Sequence, residues 1–230
     1  MLFSVALIPV PLTDIVMPTR CGVCGIRGVS PCARCLRTCR SQQIYPDPPL
    51  WCSSVIAPFV FEGSARSLIT AAKYRGNVCA LKFLAGRIAQ AVVIAQFHDV
   101  LDVVSWAPTS PQRQRRRGFD QAHVLAAHVA TLLGLPCHRL LVHQHQPGRN
   151  VAAQTGLDRD ARLLRSDRFR FVGPTAPLSE RVLLVDDVMT TGATLSAAAR
   201  VLRDAGALSI TAAVAAVTLS TRPIQVVHTG

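Results

Sequence analysis

Two carboxylates stand at the end of an apolar run, and three hydroxyls and a glycine follow them. The stretch is "VLLVDDVMTTGAT" (182–194), with Asp186 and Asp187 ahead of Thr190, Thr191, Gly192 and Thr194. Read as a strand running into a helix, it places both acids at the carboxyl end of a buried strand, where open parallel sheets bind ligands. The loop Val188, Met189, Thr190, Thr191, Gly192, Ala193, Thr194 then leads to a helix N-terminus, whose backbone N–H groups and partial positive charge suit a phosphate. Gly192 admits close backbone approach, and the threonine hydroxyls can donate further hydrogen bonds. Two carboxylates beside that cradle would repel a second phosphate but would accept hydrogen bonds from vicinal hydroxyls. A ribose 5-phosphate meets both demands. A nucleotide-hydrolase reading of the Asp pair needs a Gly-Lys-Ser/Thr loop elsewhere. Ala72 precedes Lys73 and Leu81 precedes Lys82, the chain's two lysines, so that loop is missing. A plain helix cap accounts for one Asp and not for the threonines.

A second constellation lies near the N-terminus. Cys21, Cys24, Cys32 and Cys35 form two Cys-x-x-Cys knuckles separated by "GIRGVSP", a stretch rich in turn formers. Each knuckle turns two thiolates toward one point, and two knuckles complete the tetrahedral site of a structural Zn2+. Cys39 is a spare thiol able to replace one ligand. A disulfide framework would call for export, and a redox dithiol needs one knuckle only. Cys79 and Cys137 sit in apolar surroundings and read as core.

The elements that position these residues alternate along the chain. "SVIAPFVFEG" (54–63) reads as strand, "SARSLITAAKYRG" (64–76) and "ALKFLAGRIAQAVVIAQ" (80–96) as helices, and "LDVVSWAP" (101–108) as a buried strand stopped by proline. Helix is expected over 119–135, with Gly118 and Phe119 opening it, and a short strand over 137–143. A basic stretch with a helical segment fills 144–167. Strand 182–187, helix 194–207 and strand 209–220 complete the pattern, which implies crossover connections and a parallel sheet covered on both faces. Trp106 stands at a strand end, where it can line the site, though packing is the commoner role.

The net charge is +12, almost all of it from arginine, which points to an anionic partner or to an arginine-rich genome. No apolar run reaches the ~18 residues that span a bilayer. "MLFSVALIPVPL" lacks a basic n-region and a small-x-small cleavage site. We read it as a folded strand or the product of an early start, and expect a cytoplasmic protein without membrane insertion.

The loop motif resembles the phosphoribosyl pyrophosphate (PRPP) signature of type I phosphoribosyltransferases. With the cysteine knuckles, "KYRG" (73–76), "RRRGFDQA" (115–122), Gln154 and Arg162, the chain resembles the ComF family of competence-associated proteins. The resemblance implies a type I phosphoribosyltransferase fold, a parallel sheet flanked by helices, over 53–230. It also implies an N-terminal zinc-binding module, ribbon-like, over 1–52. It implies a transferase (glycosyltransferase, pentosyl class) acting with PRPP and Mg2+ on an unknown acceptor, or a PRPP- or single-stranded-DNA-binding module without turnover, linked to DNA uptake and its proteins. Asp186 and Asp187 would take the ribose hydroxyls and 188–194 the 5-phosphate. Lys73, Arg75, Arg115, Arg116 and Arg117 are candidates for the diphosphate. The family usually has Asn where Asp120 stands, and another Asn near Arg165. Purine-salvage relatives carry an acidic residue where Thr190 stands, which argues against 6-oxopurine salvage.

Overall fold

A computed structural model describes residues 20–74, 76–144, 168–173, 177–218 and, as backbone, 225–227. In chain order the strands are β1 (Gln43–Tyr45), β2 (Ser54–Ile56), β3 (Phe59–Val60), β4 (Val103–Trp106), β5 (Leu141–His143), β6 (Phe169–Phe171), β7 (Arg181–Met189), β8 (Ser209–Val217) and β9 (Gln225–Val227). The α-helices are α1 (Ala33–Leu36), α2 (Gly63–Tyr74), α3 (Val78–Ile94), α4 (Pro111–Arg117), α5 (Gln121–Leu133) and α6 (Ala193–Asp204).

β2, β8, β7 and β4 form the central sheet in that order, with β3 also pairing β8, and every pairing is parallel. Side chains alternate between two cores. Val104, Leu183, Val185 and Ala213 face α2, α3 and α5, whereas Val103, Val182, Leu184, Ala212 and Val214 face α6. Burial on both faces explains why these strands read as continuous apolar runs. Asp102 accepts from the Arg181 backbone N–H (2.8 Å), Nε (2.9 Å) and Nη2 (2.8 Å), which ties the entries of β4 and β7 together. That pairing pulls the Asp102 carboxyl down to about 2.

Several sequence expectations are corrected. The strand over 54–63 is two pieces, because Pro58 has no N–H and Ala57 turns its own backbone groups to Ile44. The register is kept across the gap, with Ile56 opposite Ala213 and Phe59 opposite Ala216. Gly118 does not open a helix with Phe119. It ends α4 at φ 81°, and Asp120 caps α5 by accepting from the His123 N–H. Residues 137–143 do not make a strand of the main sheet. Cys137 bridges Val104, and β5 pairs antiparallel with β6 in a sheet of its own. The helical segment expected within 144–167 and the N-terminal strand over 1–12 lie outside the described residues.

The cysteine-bearing stretch packs directly on α2. A Cβ on Gly22 would sit 2.8 Å from the Ala71 Cβ, so only glycine allows this approach. The Ser30 hydroxyl takes the Gly22 N–H at 2.9 Å, and Thr38 Oγ1 meets Ser64 Oγ at 2.7 Å. No helix among the described residues is long and apolar enough to cross a membrane.

Candidate functional site

β7 continues two residues past the acid pair, with Val188 opposite Ala216 and Met189 opposite Val217. Val188 and Met189 are therefore strand, a correction to the expected loop. The turn proper is Thr190–Gly192, and Ala193 and Thr194 already belong to α6. Gly192 has φ 74°, in the left-handed region that favours glycine. A side chain there would also press on Pro49, whose Cβ lies 3.1 Å from the position of an added Cβ. Asp186 and the run from Val188 to Leu195 line a small, open recess. The α6 N-terminus faces it with amide groups not used inside the helix. The Thr191 hydroxyl accepts from the Ala193 N–H at 3.4 Å, and Thr190 and Thr191 are exposed.

The acid pair is set by burial and by neighbours. Desolvation, reinforced by the adjacent Asp187 charge, pushes Asp186 up to about 8. The Asp187 N–H, donating to Asp186 Oδ1 at 2.8 Å, and the Lys73 charge pull the other way. Lys73 Nζ lies 2.8 Å from Asp187 Oδ1, joining the last turn of α2 to the end of β7. Lys73, a candidate for an anionic ligand, is thus held against the acid pair.

The arginine run is helical. Arg115, Arg116 and Arg117 form the last turn of α4. The Arg116 and Arg117 guanidinium carbons lie 5.5 and 5.2 Å from the Tyr74 ring centroid, next in sequence to Lys73. "KYRG" and "RRRGFDQA" therefore meet, although Arg75 itself is outside the described residues, as are Gln154, Arg162 and Arg165. Trp106 is buried at the end of β4. Its Nε1 donates to Asp120 Oδ2 at 3.1 Å, and its ring lies 4.4 Å from that of His123. Trp106 is packing, and Asp120 clasps the two ends of the segment that carries α4, accepting also from the Thr109 N–H at 3.4 Å. Sequence reasoning missed the roles of Tyr74, Asp120 and Pro49. An aromatic residue beside Lys73 was the one available sign of Tyr74, whereas the contact of Pro49 with Gly192 has no local signal.

The four knuckle cysteines come together, with ligand atoms of Cys21, Cys24, Cys32 and Cys35 all within 4.8 Å of one another. Zn–S bonds of about 2.3 Å in a tetrahedron require sulfurs ~3.8 Å apart, and Cys24 Sγ and Cys32 Sγ are 3.7 Å apart. The donor set fits Zn2+. Burial raises the Cys21 thiol, but the backbone N–H groups of Cys24, Cys32 and Val23 outweigh it and leave Cys21 at about 6. Burial and the neighbouring cysteines push Cys35 up to about 12, so a cation is needed to ionise the set. Cys39 is no substitute ligand. It lies in the core beside α2 and α3. Cys79 and Cys137 are half-buried, and Cys137 packs against the core.

Residues 120–225 match the model of the phosphoribosyl transferase domain. The chain is 26% identical over 188 residues to competence protein ComFC of Streptococcus pneumoniae (strain ATCC BAA-255 / R6), covering 80% of this chain and 79% of that one. It is 35% identical over 99 residues to competence protein ComFC of Bacillus subtilis (strain 168), covering 43% and 37%. Among solved structures, it is similar to an allosteric regulatory enzyme of purine biosynthesis (22% identity, TM-score 0.40), spanning 58% of this chain and 25% of that one. Glutamine PRPP amidotransferase from B. subtilis gives 24% identity and a TM-score of 0.38, over 57% and 25%. The domain match and the two ComFC relatives support a ComF-family, type I phosphoribosyltransferase-like protein.

Proposed function

We propose that the chain binds PRPP with Mg2+ and transfers its phosphoribosyl group to an acceptor. One observation carries this reading. An acid pair at the end of a buried strand runs directly into a threonine- and glycine-bearing turn and a helix N-terminus, and Asp186, the turn and the helix start line one recess. Asp186 and Asp187 take the ribose hydroxyls, and Thr190 to Thr194 take the 5-phosphate. Lys73, beside Asp187, and Arg116 and Arg117, over the Tyr74 ring, meet the diphosphate; Arg75 and Arg115 are further candidates. Mg2+ bound with the diphosphate would neutralise charge on the leaving group. The protein's part is to hold the ligand and to exclude water. Thr190 stands where an acid would assist proton transfer to a 6-oxopurine, so another acceptor class is expected. The names of the two relatives extend the reading to competence and DNA uptake. A zinc-binding module over 1–52 and a transferase-like domain over 53–230, in the cytoplasm, belong to the same proposal. The test is release of pyrophosphate from PRPP across a panel of bases and nucleotides. Acceptor-dependent release supports transfer; PRPP binding without release under any acceptor leaves a binding module.

A second reading, single-stranded DNA binding, is favoured by α4. Arg113, Arg115 and Arg116 are exposed on a helix with no acidic residue. Aromatic residues make up 5% of the chain, too few for a long stacking platform, so contact would be through the backbone phosphates. Affinity should fall with salt at a log–log slope of roughly −0.7 per phosphate neutralised. Salt-independent binding would remove α4 from the account.

A further inference from the structure

Gln121 opens α5 and is 1% exposed, yet its Nε2 has no hydrogen-bond partner. Its Oε1 accepts from Arg117 Nη1 at 3.3 Å, and Arg117 Nε is likewise buried without a partner. Both orphan groups are donors. Buried donors are almost always paired, and an unpaired one marks a missing acceptor. The preceding residue's carboxylate does not serve, because Asp120 is turned to Trp106, Thr109 and His123. Gln121 also stands at the N-terminus of a 13-residue helix, where the dipole favours an anion.

We propose that Arg117 and Gln121 form a covered donor pair that takes an anionic oxygen from the diphosphate end of the ligand, a proposal that rests on the PRPP reading above. In the free protein Arg117 is held over Tyr74 and against the Gln121 carbonyl oxygen. Tyr74 is 56% exposed, so the guanidinium can slide off the ring without unpacking the core. That movement uncovers the Gln121 amide and turns Arg117 Nε toward the same oxygen. Gln121 then acts twice, its carbonyl steering Arg117 and its N–H2 contacting the anion. The rival occupant is a buried water, which would satisfy the same donors and contribute nothing to ligand affinity.

Calorimetry on the full, zinc-loaded chain separates these cases, with inorganic pyrophosphate and ribose 5-phosphate as separate probes. Gln121→Leu should weaken pyrophosphate by about 10- to 100-fold, the loss of one charge-assisted hydrogen bond. Gln121→Glu, nearly isosteric, should weaken it at least as much by pairing with Arg117. Both should leave ribose 5-phosphate affinity within about two-fold of the parent. Thermal melts establish that each variant is folded, and Gln121→Glu decides the matter if Gln121→Leu is not. Unchanged pyrophosphate affinity in a folded variant, or equal loss for both probes, overturns the proposal. A parent chain that binds pyrophosphate but not ribose 5-phosphate would instead overturn the placement of PRPP.

Discussion

Lys73 Nζ and Asp187 Oδ1 are 2.8 Å apart, with side chains 18% and 17% exposed, and they bridge α2 to the acid pair of β7. The ion pair offsets one of two adjacent carboxylates that share a partly buried strand end. Under the proposed PRPP reading, ligand entry would redistribute this charge, with a diphosphate competing for Lys73 and ribose hydroxyls turning to Asp187. Replacing Lys73 by Met keeps the stem and removes the charge. We expect Lys73→Met to lose about 1–3 kcal/mol of stability in denaturant titrations, the cost of an uncompensated, partly buried charge. Unchanged stability would mean that the pair is not formed in solution.

The pH dependence follows from Asp186. Its folded-state carboxyl is raised from 3.8 to about 8, so between these values the folded protein holds a proton that the unfolded chain has lost. Stability from this group is therefore highest at the acid end and declines as pH rises from about 4 to 8. Asp102 has the opposite sense, but its carboxyl is lowered to about 2, so that contribution changes only below about pH 4. Asp186→Asn should flatten the decline. Melting temperatures across this range for parent and variant check it, and parallel profiles would contradict it.

The strand–helix order was readable because alternating apolar blocks with helical periodicity leave few other arrangements. The acid pair and the threonine turn were readable for the same local reason, as chemistry and backbone geometry coincide in one short stretch. Less was visible where contacts span distant segments. The end of β7 ran past Asp187 because pairing with β8 overrides the polar residues there. α4 was hidden by its composition. "PQRQRRR" has no apolar face, and the helix is fixed at its ends, by Pro111 near its start and by Gly118. Arg116 and Arg117 stack on Tyr74 across a long sequence gap, which no spacing rule reveals.

Zinc is the next expectation. Purified, tag-free protein should carry about one Zn2+ per chain, as one four-thiolate site requires. Cys21→Ser or Cys35→Ser should lose it and loosen the contact of Gly22 with Ala71 on α2. Metal analysis that finds no zinc, with all thiols reduced and free, would contradict the site.

Gly192 is held at φ 74° with Pro49 close to its missing side chain. Gly192→Ala should cost about 1–2 kcal/mol in stability, as left-handed backbone does for other residues. The turn proposed to hold the 5-phosphate would move with it, so ribose 5-phosphate affinity should fall too. Calorimetry showing a stable variant with full affinity would mean that the turn adapts freely.

In the proposed function the acid pair and the turn after it hold PRPP. Titrating PRPP with Mg2+ into the parent and into the Asp186→Ala, Asp187→Ala double variant by calorimetry tests it most directly. Charged hydrogen bonds are worth about 1.5–3 kcal/mol each, so the double variant should bind at least roughly a hundredfold more weakly while remaining folded. Equal affinity in parent and double variant would contradict the account and move the ribose elsewhere.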